Sequence, residues 1–446
     1  MVALALGAGT VGWYAWRRPA ARPFNVVFIL ADTMRADHLS AYGYHRPTSP
    51  NIDRFFLERG ILFRAARSQA SCTYPSVNSI LTSRYPAQFL SQPEKRMGIP
   101  EGVPSLAEIL QKSGYRTVAV SASPIVRKTF TKYNNFGGFD RGFEQFDESC
   151  YWKDARCVNE IFAAQLAGLG EPFFAYLHYM DAHDPYKPPP WYAPQFAQGY
   201  DGLDFIKVGN PNPIADAIRT QRQVPEYQQS DLEHLVDLYD DEIRYFDGEF
   251  GVLVADLDNR GLLDRTIVVL VADHGEQFLE HGYMKHCFTL FDTDILTPLA
   301  WYIPGVTASE VAAPVEHVDI LPTLLDYLGI DSSAFGFEGH SARALIEGGG
   351  ATTRYAFAMQ GERRSVTDAR YKLRFNGLKK EFYLHDLSAD PEEHFDVLAD
   401  NAADFVRLQS ALREWEVKIA PGKSAQELTR LGVEVQERLR ALGYLQ

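Results

Sequence analysis

The 446-residue sequence lacks several features that define whole classes of protein. Its 44 lysine and arginine residues are scattered and the formal net charge is −14, so no basic surface for a nucleic-acid partner is expected. The first predicted strand is not followed by a glycine-rich turn, which argues against dinucleotide binding. No internal repeat or low-complexity tract is present. The length and the 46% hydrophobic content instead indicate one large globular domain with a smaller one attached.

Cysteine is also scarce. The four cysteines, at positions 72, 150, 157 and 287, form no CxxC pair and no cluster of the kind that binds a metal. Cys150 and Cys157 could close a short disulfide loop in an exported protein, or could equally be unpaired buried thiols. The cysteines therefore do not decide the compartment.

The N-terminal segment "MVALALGAGTVGWYAWRR" is apolar up to Trp16 and ends in two arginines. A full membrane span needs about 20 apolar residues, so this run is marginal in length. We interpret residues 1–23 as a membrane signal-anchor and linker, because the Pro/Arg-rich segment "RRPAARP" disfavours the alternative of a buried first helix. This interpretation predicts a membrane-anchored protein whose catalytic domain is exported to the periplasm or the cell exterior, with its orientation left open.

Strands and helices alternate along most of the remaining chain. The segments "FNVVFILAD" and "TIVVLVAD" are apolar runs that end in an acid, which is typical of strands buried on both faces. The order βαβα predicts an α/β fold with a doubly wound, mostly parallel sheet over residues 24–350. Alternating segments after residue 350, followed by a helical pattern, predict a small C-terminal antiparallel α+β subdomain over residues 351–446.

Two of the predicted buried strands end in carboxylates, Asp32 and Asp273, and His274 follows the second. Ligands collect at the carboxyl ends of strands in open α/β sheets, so both acids should face one crevice. Two carboxylates and an imidazole suit one divalent cation. Either acid alone could equally cap a helix, but the same arrangement at two strands favours a metal site.

Two other segments carry polar groups with less specific patterns. His183 lies in "LHYMDAHDPY", where a hydrogen-bonded turn is the alternative to a ligand role. Lys285 and His286 lie in "EHGYMKHCF". They could clamp an anion, although Lys285 could also be a solvated surface charge.

The segment "SCTYPSVNSILTSRYP" supplies a candidate nucleophile. Its pattern predicts a turn that leads into a short helix, with Pro75 in the first turn of the helix and Thr73 near the helix N-terminus. A hydroxyl there meets free backbone N–H groups and the positive end of the helix dipole, which suits a group that attacks an anion. A nearby metal would lower the pKa of that hydroxyl. A plain capping threonine is the alternative.

Five segments, in this order, together resemble the sulfatase family of the alkaline-phosphatase superfamily: "NVVFILADTMRADHLSAYGYHRPTSPNIDRF", "TYPSVNSILTSRYP", "HYMDAHDPY", "VADHGEQFLEHGYMKH" and "HVDILPTLLDYLGI". The resemblance covers nearly everything from Asn25 to the C-terminus. It implies an alkaline-phosphatase/sulfatase-like fold and an ester-cleaving activity that depends on a divalent metal, calcium, manganese, zinc or magnesium.

Carried over to individual positions, the resemblance implies that Asp32, Asp273 and His274 hold the metal together with the hydroxyl of Thr73. It also implies that His183 contacts the transferred group or the leaving oxygen. The resemblance further implies that Lys285 or His286 supplies the cationic partner of the sulfate or phosphate group.

The sequence also departs from the family pattern. Sulfatases mature a formylglycine from the first residue of C/S-x-P-x-R, and alignment on Pro75 places Thr73 there, Cys72 one residue too early and Val77 in the arginine position. Formylglycine at Cys72 is therefore not expected. Threonine at this position resembles the phosphodiesterases, phosphonate hydrolases and phosphoethanolamine or phosphoglycerol transferases of the superfamily. Thr33 stands where a second acid is usual, so one expected calcium ligand is absent.

The sequence thus predicts a metal-dependent, sulfatase-like hydrolase or transferase that cleaves phosphate (di)esters or sulfate esters through Thr73. The expected substrate is a small-molecule, glycan or lipid ester. Two alternatives stay open at this point. One is a true arylsulfatase-type enzyme with an atypical maturation at Cys72, and the other is a catalytically inactive, tethered binding protein that retains the fold.

Overall fold

The computed structural model describes residues 23–90, 98–130, 137–200, 228–349 and 354–419. The strands are β1 Asn25–Ala31, β2 Ile61–Phe63, β3 Ala66–Arg67, β4 Arg116–Ser121, β5 Gln145–Asp147, β6 Phe173–Tyr179, β7 Thr266–Val271, β8 Gln277–Phe278, β9 Met284–Lys285, β10 Leu299–Tyr302, β11 Ser309–Val311, β12 Val315–Glu316, β13 Ala356–Gln360, β14 Arg363–Thr367, β15 Tyr371–Asn376 and β16 Glu381–Asp386. The α-helices are α1 Pro50–Arg59, α2 Thr73–Thr82, α3 Ala87–Leu90, α4 Leu106–Lys112, α5 Ala155–Leu166, α6 Gln229–Asn259, α7 Asp292–Ile295, α8 Ile320–Leu328, α9 Arg343–Ile346 and α10 Ala402–Ile419.

The central sheet has eight strands in the order β11-β2-β10-β7-β1-β6-β4-β5. Strands β7, β1, β6, β4 and β5 run parallel to one another, whereas β10 runs antiparallel to both β7 and β2. Every residue of β1, β6 and β7 is buried, because helices cover both faces of the sheet. The predicted doubly wound, mostly parallel sheet is therefore confirmed, with one antiparallel strand that the sequence pattern did not reveal.

Alternation along β1 divides the core between the two faces of the sheet. Val27 and Ile29 point into a cluster that includes side chains of α1, α5 and α6. Val26 and Phe28 point into the opposite cluster, which includes side chains of α2, α4 and α8. The strand is thus fixed from both sides, and the residues that follow it have a well-defined position.

The C-terminal part contains the antiparallel sheet β13-β14-β15-β16, with α10 packed on one face. Its core includes Leu373, Leu384, Leu408 and Trp415, all buried. The predicted antiparallel α+β architecture is confirmed. The proposed boundary near residue 350 falls at residues 350–353, which lie outside the described residues, and the domain limits stay a prediction.

The predicted membrane-anchored location is contradicted. Across the described ranges, no helix combines the length and the apolar character that crossing a membrane requires. The longest of them, α6, has 31 residues but is amphipathic and carries many acidic side chains. The anchor was predicted on residues 1–23, of which 1–22 lie outside the described residues, and membrane attachment through this segment is withdrawn.

Candidate active site

The two strand-end carboxylates meet at one edge of the central sheet. Strands β1 and β7 pair in parallel with Leu30 opposite Val271, so Asp32 and Asp273 both follow the same edge. Asp32, Asp273 and His274 are at most 1% exposed. Each offers one ligand atom, and these atoms lie within 4.8 Å of one another. The predicted ligand set is therefore brought together in space.

The hydrogen bonds of these carboxylates leave one oxygen of each without a partner. Asp273 Oδ1 accepts from the backbone N–H groups of Thr33, at 3.2 Å, and His274, at 2.9 Å. Asp32 Oδ2 lies 3.1 Å from His178 Nε2. Asp32 Oδ1 and Asp273 Oδ2 are buried and accept no hydrogen bond. Buried oxygens of this kind are costly unless a cation lies beside them, so the residues present fit a divalent metal.

The electrostatic environment of Asp32 also fits a bound divalent metal. Burial, followed by the charge of Asp273, raises the pKa of Asp32 to about 7. A divalent cation at this position would favour the charged form of the carboxyl and oppose that shift. His178 is held neutral, because burial lowers its pKa to about 4, and its ring lies 3.0 Å from the Tyr176 hydroxyl. Neutral His178 can therefore orient Asp32 by donating from Nε2.

The tautomer of His274 follows from its hydrogen bonds. Its Nδ1 lies 2.9 Å from the carbonyl oxygen of Gly275, which can only accept, so Nδ1 carries the proton. The lone pair of Nε2 then faces the site, 3.4 Å from Asp273 Oδ2 and 3.2 Å from Thr73 Oγ1. Nε2 is accordingly the atom of His274 that could bind a metal, and the threonine hydroxyl lies directly beside it.

Thr73 is the first residue of α2, as the sequence predicts. The helix is fixed to the end of β7 by Ser76, whose Oγ donates to the carbonyl oxygen of Asp273 at 2.6 Å. The first N–H groups of a helix have no partner within it, so the Thr73 hydroxyl lies near the positive end of the helix dipole. The position suits a nucleophile that acts on an anionic ester.

Thr73 opens into a cavity of about 570 Å³, here called the Thr73 cavity. Its apolar wall comes from four separate segments and includes Tyr74, Ile125, Trp152 and Met359. Its charged and titratable lining groups are His183, Asp184, Lys285 and His286. The cavity thus has a polar side around Thr73 and an apolar side that could receive the alcohol part of an ester.

The predicted charge-stabilising residues converge on this polar side. The His183 and His286 rings lie 5.1 Å apart, and the His286 and His274 rings 4.5 Å apart, between centroids. His183 Nδ1 lies 2.6 Å from the carbonyl oxygen of Asp184 and so donates to it, and burial lowers the pKa of His183 below its usual value. Lys285 Nζ is 2.7 Å from Asp184 Oδ2. The site therefore brings the imidazoles of His183 and His286 and the ammonium group of Lys285 to the cavity into which Thr73 opens.

Comparison with known proteins decides the family. The family model described as Sulfatase matches residues 24–330. The chain belongs to the sulfatase family. Curated relatives include a sulfatase of Formosa agariphila, 23% identical over 426 residues (83% of this chain, 82% of that protein), and arylsulfatase A of Homo sapiens, 23% identical over 479 residues (93% and 89%).

Solved structures share the fold of this sulfatase-family chain. A 2-O GAG sulfatase superposes with a TM-score of 0.71 at 20% identity, covering 89% of this chain and 92% of that one. The phosphonate monoester hydrolase of Agrobacterium radiobacter superposes with a TM-score of 0.66 at 20% identity, covering 89% and 95%. The predicted family and fold are confirmed, and the chain is an ester hydrolase of the alkaline-phosphatase superfamily.

Sequence analysis of this sulfatase-family chain missed the role of Glu276. Its Oε1 lies 2.9 Å from His286 Nδ1, and its Oε2 accepts from the Tyr186 hydroxyl at 2.9 Å. Burial raises the pKa of Glu276 to about 7 and lowers that of His286 to about 4. Glu276 therefore fixes the orientation of His286. The available signal in the sequence was the position of Glu276, shortly after Asp273 and His274 at the end of β7.

Cys72, the residue before Thr73, forms a long-range disulfide that the sequence did not indicate. Cys72 and Cys287 are joined with their Cα atoms 4.9 Å apart, across a sequence separation of 215. The Cys287 backbone N–H also donates to the Ser71 carbonyl at 2.8 Å. The bond ties the segment that carries Thr73 to the segment of Lys285 and His286. A second disulfide joins Cys150 and Cys157, which decides between the two possibilities left open by the sequence.

Proposed function

We propose that this sulfatase-family chain is a metal-dependent hydrolase that cleaves phosphate esters, phosphodiesters or sulfate esters with the Thr73 hydroxyl as the nucleophile. The observation that carries the proposal is the 3.2 Å distance between Thr73 Oγ1 and His274 Nε2, at the edge of a cavity large enough for a substrate. A threonine at this point needs no maturation before it can attack an anionic ester.

Asp32, Asp273 and His274, with the hydroxyl of Thr73, would hold one divalent ion, whether calcium, manganese, zinc or magnesium. Such an ion, when bound, supplies Lewis-acid polarisation of an ester oxygen and lowers the pKa of a nearby hydroxyl. The unpaired oxygens of Asp32 and Asp273 support this assignment.

The protein groups have separable parts in the reaction. As Thr73 Oγ1 bonds to phosphorus or sulfur, the bond from phosphorus or sulfur to the leaving oxygen breaks, and the proton lost by Oγ1 passes to that oxygen, so the alcohol leaves neutral. Lys285 supplies positive charge close to the developing negative charge. His183, with Nδ1 fixed by the Asp184 carbonyl, presents Nε2 to the transferred group or the leaving oxygen. The His286 ring lies between the rings of His183 and His274. Water or an acceptor alcohol then attacks phosphorus or sulfur, which breaks the bond to Thr73 Oγ1, and the acceptor's proton restores the threonine hydroxyl.

Both ester classes are compatible with what is known of related proteins. The fold is shared with a 2-O GAG sulfatase and with a phosphonate monoester hydrolase. The substrate would be a small-molecule, glycan or lipid ester, whose alcohol part could contact the apolar wall of the Thr73 cavity.

The Thr73 mechanism is tested by comparing Thr73→Ala with the matched control Thr73→Ser. Substrates are an aryl sulfate, a phosphate monoester and a phosphodiester, each assayed with several divalent metals. We expect Thr73→Ala to lower kcat/KM by about 10³-fold or more, as for other deleted nucleophiles, and Thr73→Ser to retain most activity. Metal content is measured on the same samples. Full turnover by Thr73→Ala with unchanged metal content would show that Thr73 is not the nucleophile.

The alternative of an arylsulfatase with atypical maturation requires formylglycine at Cys72. The disulfide to Cys287 argues against it, because formylglycine formation consumes the thiol that the disulfide needs. Mass spectrometry of the peptide spanning residues 71–84 separates the two cases, since formylglycine changes the mass of Cys72 and leaves Thr73 unchanged. An inactive binding protein would instead turn over none of the three substrates with any metal.

A further inference from the structure

A second, smaller cavity lies beside the Thr73 cavity, against the C-terminal sheet. Its volume is about 210 Å³, and its lining includes the basic side chains of Arg363, Arg364, Arg374, Lys379 and His281. None of the described residues that line it is acidic. We call it the basic pocket.

Neighbouring residues line the basic pocket and the Thr73 cavity along two stretches of chain. Lys285 lines the Thr73 cavity and Tyr283, two residues earlier, lines the basic pocket. In the same way, Gly361 lines the Thr73 cavity and Arg363 lines the basic pocket. Two residues span at most about 7 Å of extended chain. One substrate molecule of modest size could therefore reach both cavities.

Two of the basic side chains have no acidic partner. In the described part of the chain, no carboxylate lies within ion-pair distance of Arg363 or Lys379. Arg363 is half-buried at the start of β14, and Lys379 is exposed near the end of β15. Their charges are therefore available to a ligand.

Arg374 is held in place inside the pocket. Its guanidinium lies 3.6 Å over the Phe291 ring, and its ion-pair partner Glu393 has an oxygen 3.5 Å from Nε. That Nε is buried and donates no hydrogen bond. Burial, with the charge of Arg374 as the next cause, lowers the pKa of His281 to about 4, so the positive charge of the pocket comes from its arginines and Lys379. Arg363 and Lys379 contribute theirs with no acidic partner among the described residues.

We infer that the basic pocket binds a second oxyanion group of the substrate, a sulfate, phosphate or carboxylate carried by the same molecule as the ester cleaved at Thr73. The inference rests on the proposed function and narrows the substrate to molecules with at least two anionic groups. Fixed guanidinium groups suit such an oxyanion because they donate several hydrogen bonds in one plane. The pocket volume holds one such group.

The test measures binding to the full chain by isothermal titration calorimetry. The probes are inorganic sulfate, inorganic phosphate, and a glucosamine disaccharide that carries either one or two sulfate groups. The disulfated form should bind at least tenfold more tightly than the monosulfated form. Arg363→Gln should remove that advantage, weakening binding of the disulfated form by about 10- to 100-fold, the loss expected for one charge-assisted hydrogen bond.

Arg370→Gln is the matched control, because Arg370 lies in the bend just before β15, with a 59% exposed side chain and an acidic partner, Asp386. It should leave all four affinities unchanged. Lys379→Gln is the second variant, and it should act in the same direction as Arg363→Gln even if the latter lowers the melting temperature.

Equal binding of both disaccharides, or equal effects of Arg363→Gln and Arg370→Gln, would overturn the inference. If Arg363→Gln weakened inorganic sulfate or phosphate binding while both disaccharides bound equally, the pocket would take free anions and the substrate assignment would be wrong. A protein that showed the disulfate preference but cleaved no ester would instead contradict the proposed function and leave the pocket assignment standing.

Discussion

Removal of the disulfide between Cys72 and Cys287 should cost more stability than removal of any short-range link in this chain. The bond closes a loop with a sequence separation of 215. Loop-closure entropy of the unfolded chain then predicts a contribution of about 5 kcal/mol to the free energy of unfolding at 25 °C. The disulfide of Cys150 and Cys157, with a separation of 7, should contribute about 2 kcal/mol by the same relation. The difference of about 3 kcal/mol is the quantity to measure.

The assay is guanidinium unfolding of two double variants, Cys72→Ala/Cys287→Ala and Cys150→Ala/Cys157→Ala, followed by far-UV circular dichroism. The wild-type protein in reductant should lose at least as much stability as the first variant. Activity should fall without vanishing in the first variant, because two hydrogen bonds remain at the junction. They are those from the Cys287 N–H to the Ser71 carbonyl and from Gln360 Nε2 to the Cys287 carbonyl, at 2.8 and 3.0 Å.

The reasoning would be refuted if both variants lost the same free energy of unfolding, or if the Cys72/Cys287 variant were as stable as the wild type. A long loop would then bring no entropic advantage in this fold. Loss of all activity without loss of stability would show that the bond serves the site geometry alone.

Two further predictions concern the substrate and pH. Trp152 lines the apolar side of the Thr73 cavity, with its ring centroid 5.4 Å from that of His183. Trp152→Ala should therefore raise KM for an aryl ester about tenfold through lost apolar contact, with a smaller change in kcat. An unchanged KM would show that the alcohol group of the substrate binds elsewhere. Burial raises the pKa of the Asp181 carboxyl to about 7, above the value of about 3.9 in an unfolded chain. Between about pH 4 and pH 7 the folded state therefore retains a proton that the unfolded state has lost, so stability is highest at the acidic end and falls as pH rises. Asp181→Asn should flatten this slope in urea unfolding measured at pH 5 and pH 7, and an identical slope in both proteins would contradict the burial argument.

The sequence predicted what depends on local pattern. Buried strands such as β1 and β7 are continuous apolar runs, and the acids that follow them must emerge at the same edge of a parallel sheet. Thr73 at the start of a short helix was likewise readable from Pro75. These features needed no knowledge of distant contacts.

Features that depend on distant segments could not be read in this way. The link from Cys72 to Cys287 spans most of the large domain, and no spacing rule connects two cysteines so far apart. The insertion of β10 antiparallel beside β7 is decided by packing rather than by its own short sequence. The contact between Glu276 and His286 could not be predicted either, because only the folded structure places these two side chains together.

The walls of the Thr73 cavity come from segments that lie far apart in the order of synthesis. Thr73 belongs to an early part of the chain, whereas Met359 and Gly361 line the same cavity and are made almost 300 residues later. A nascent chain that has completed only the large sheet would therefore present Thr73 in an open groove. The complete cavity exists only after the C-terminal sheet has been translated and has folded onto the rest of the protein.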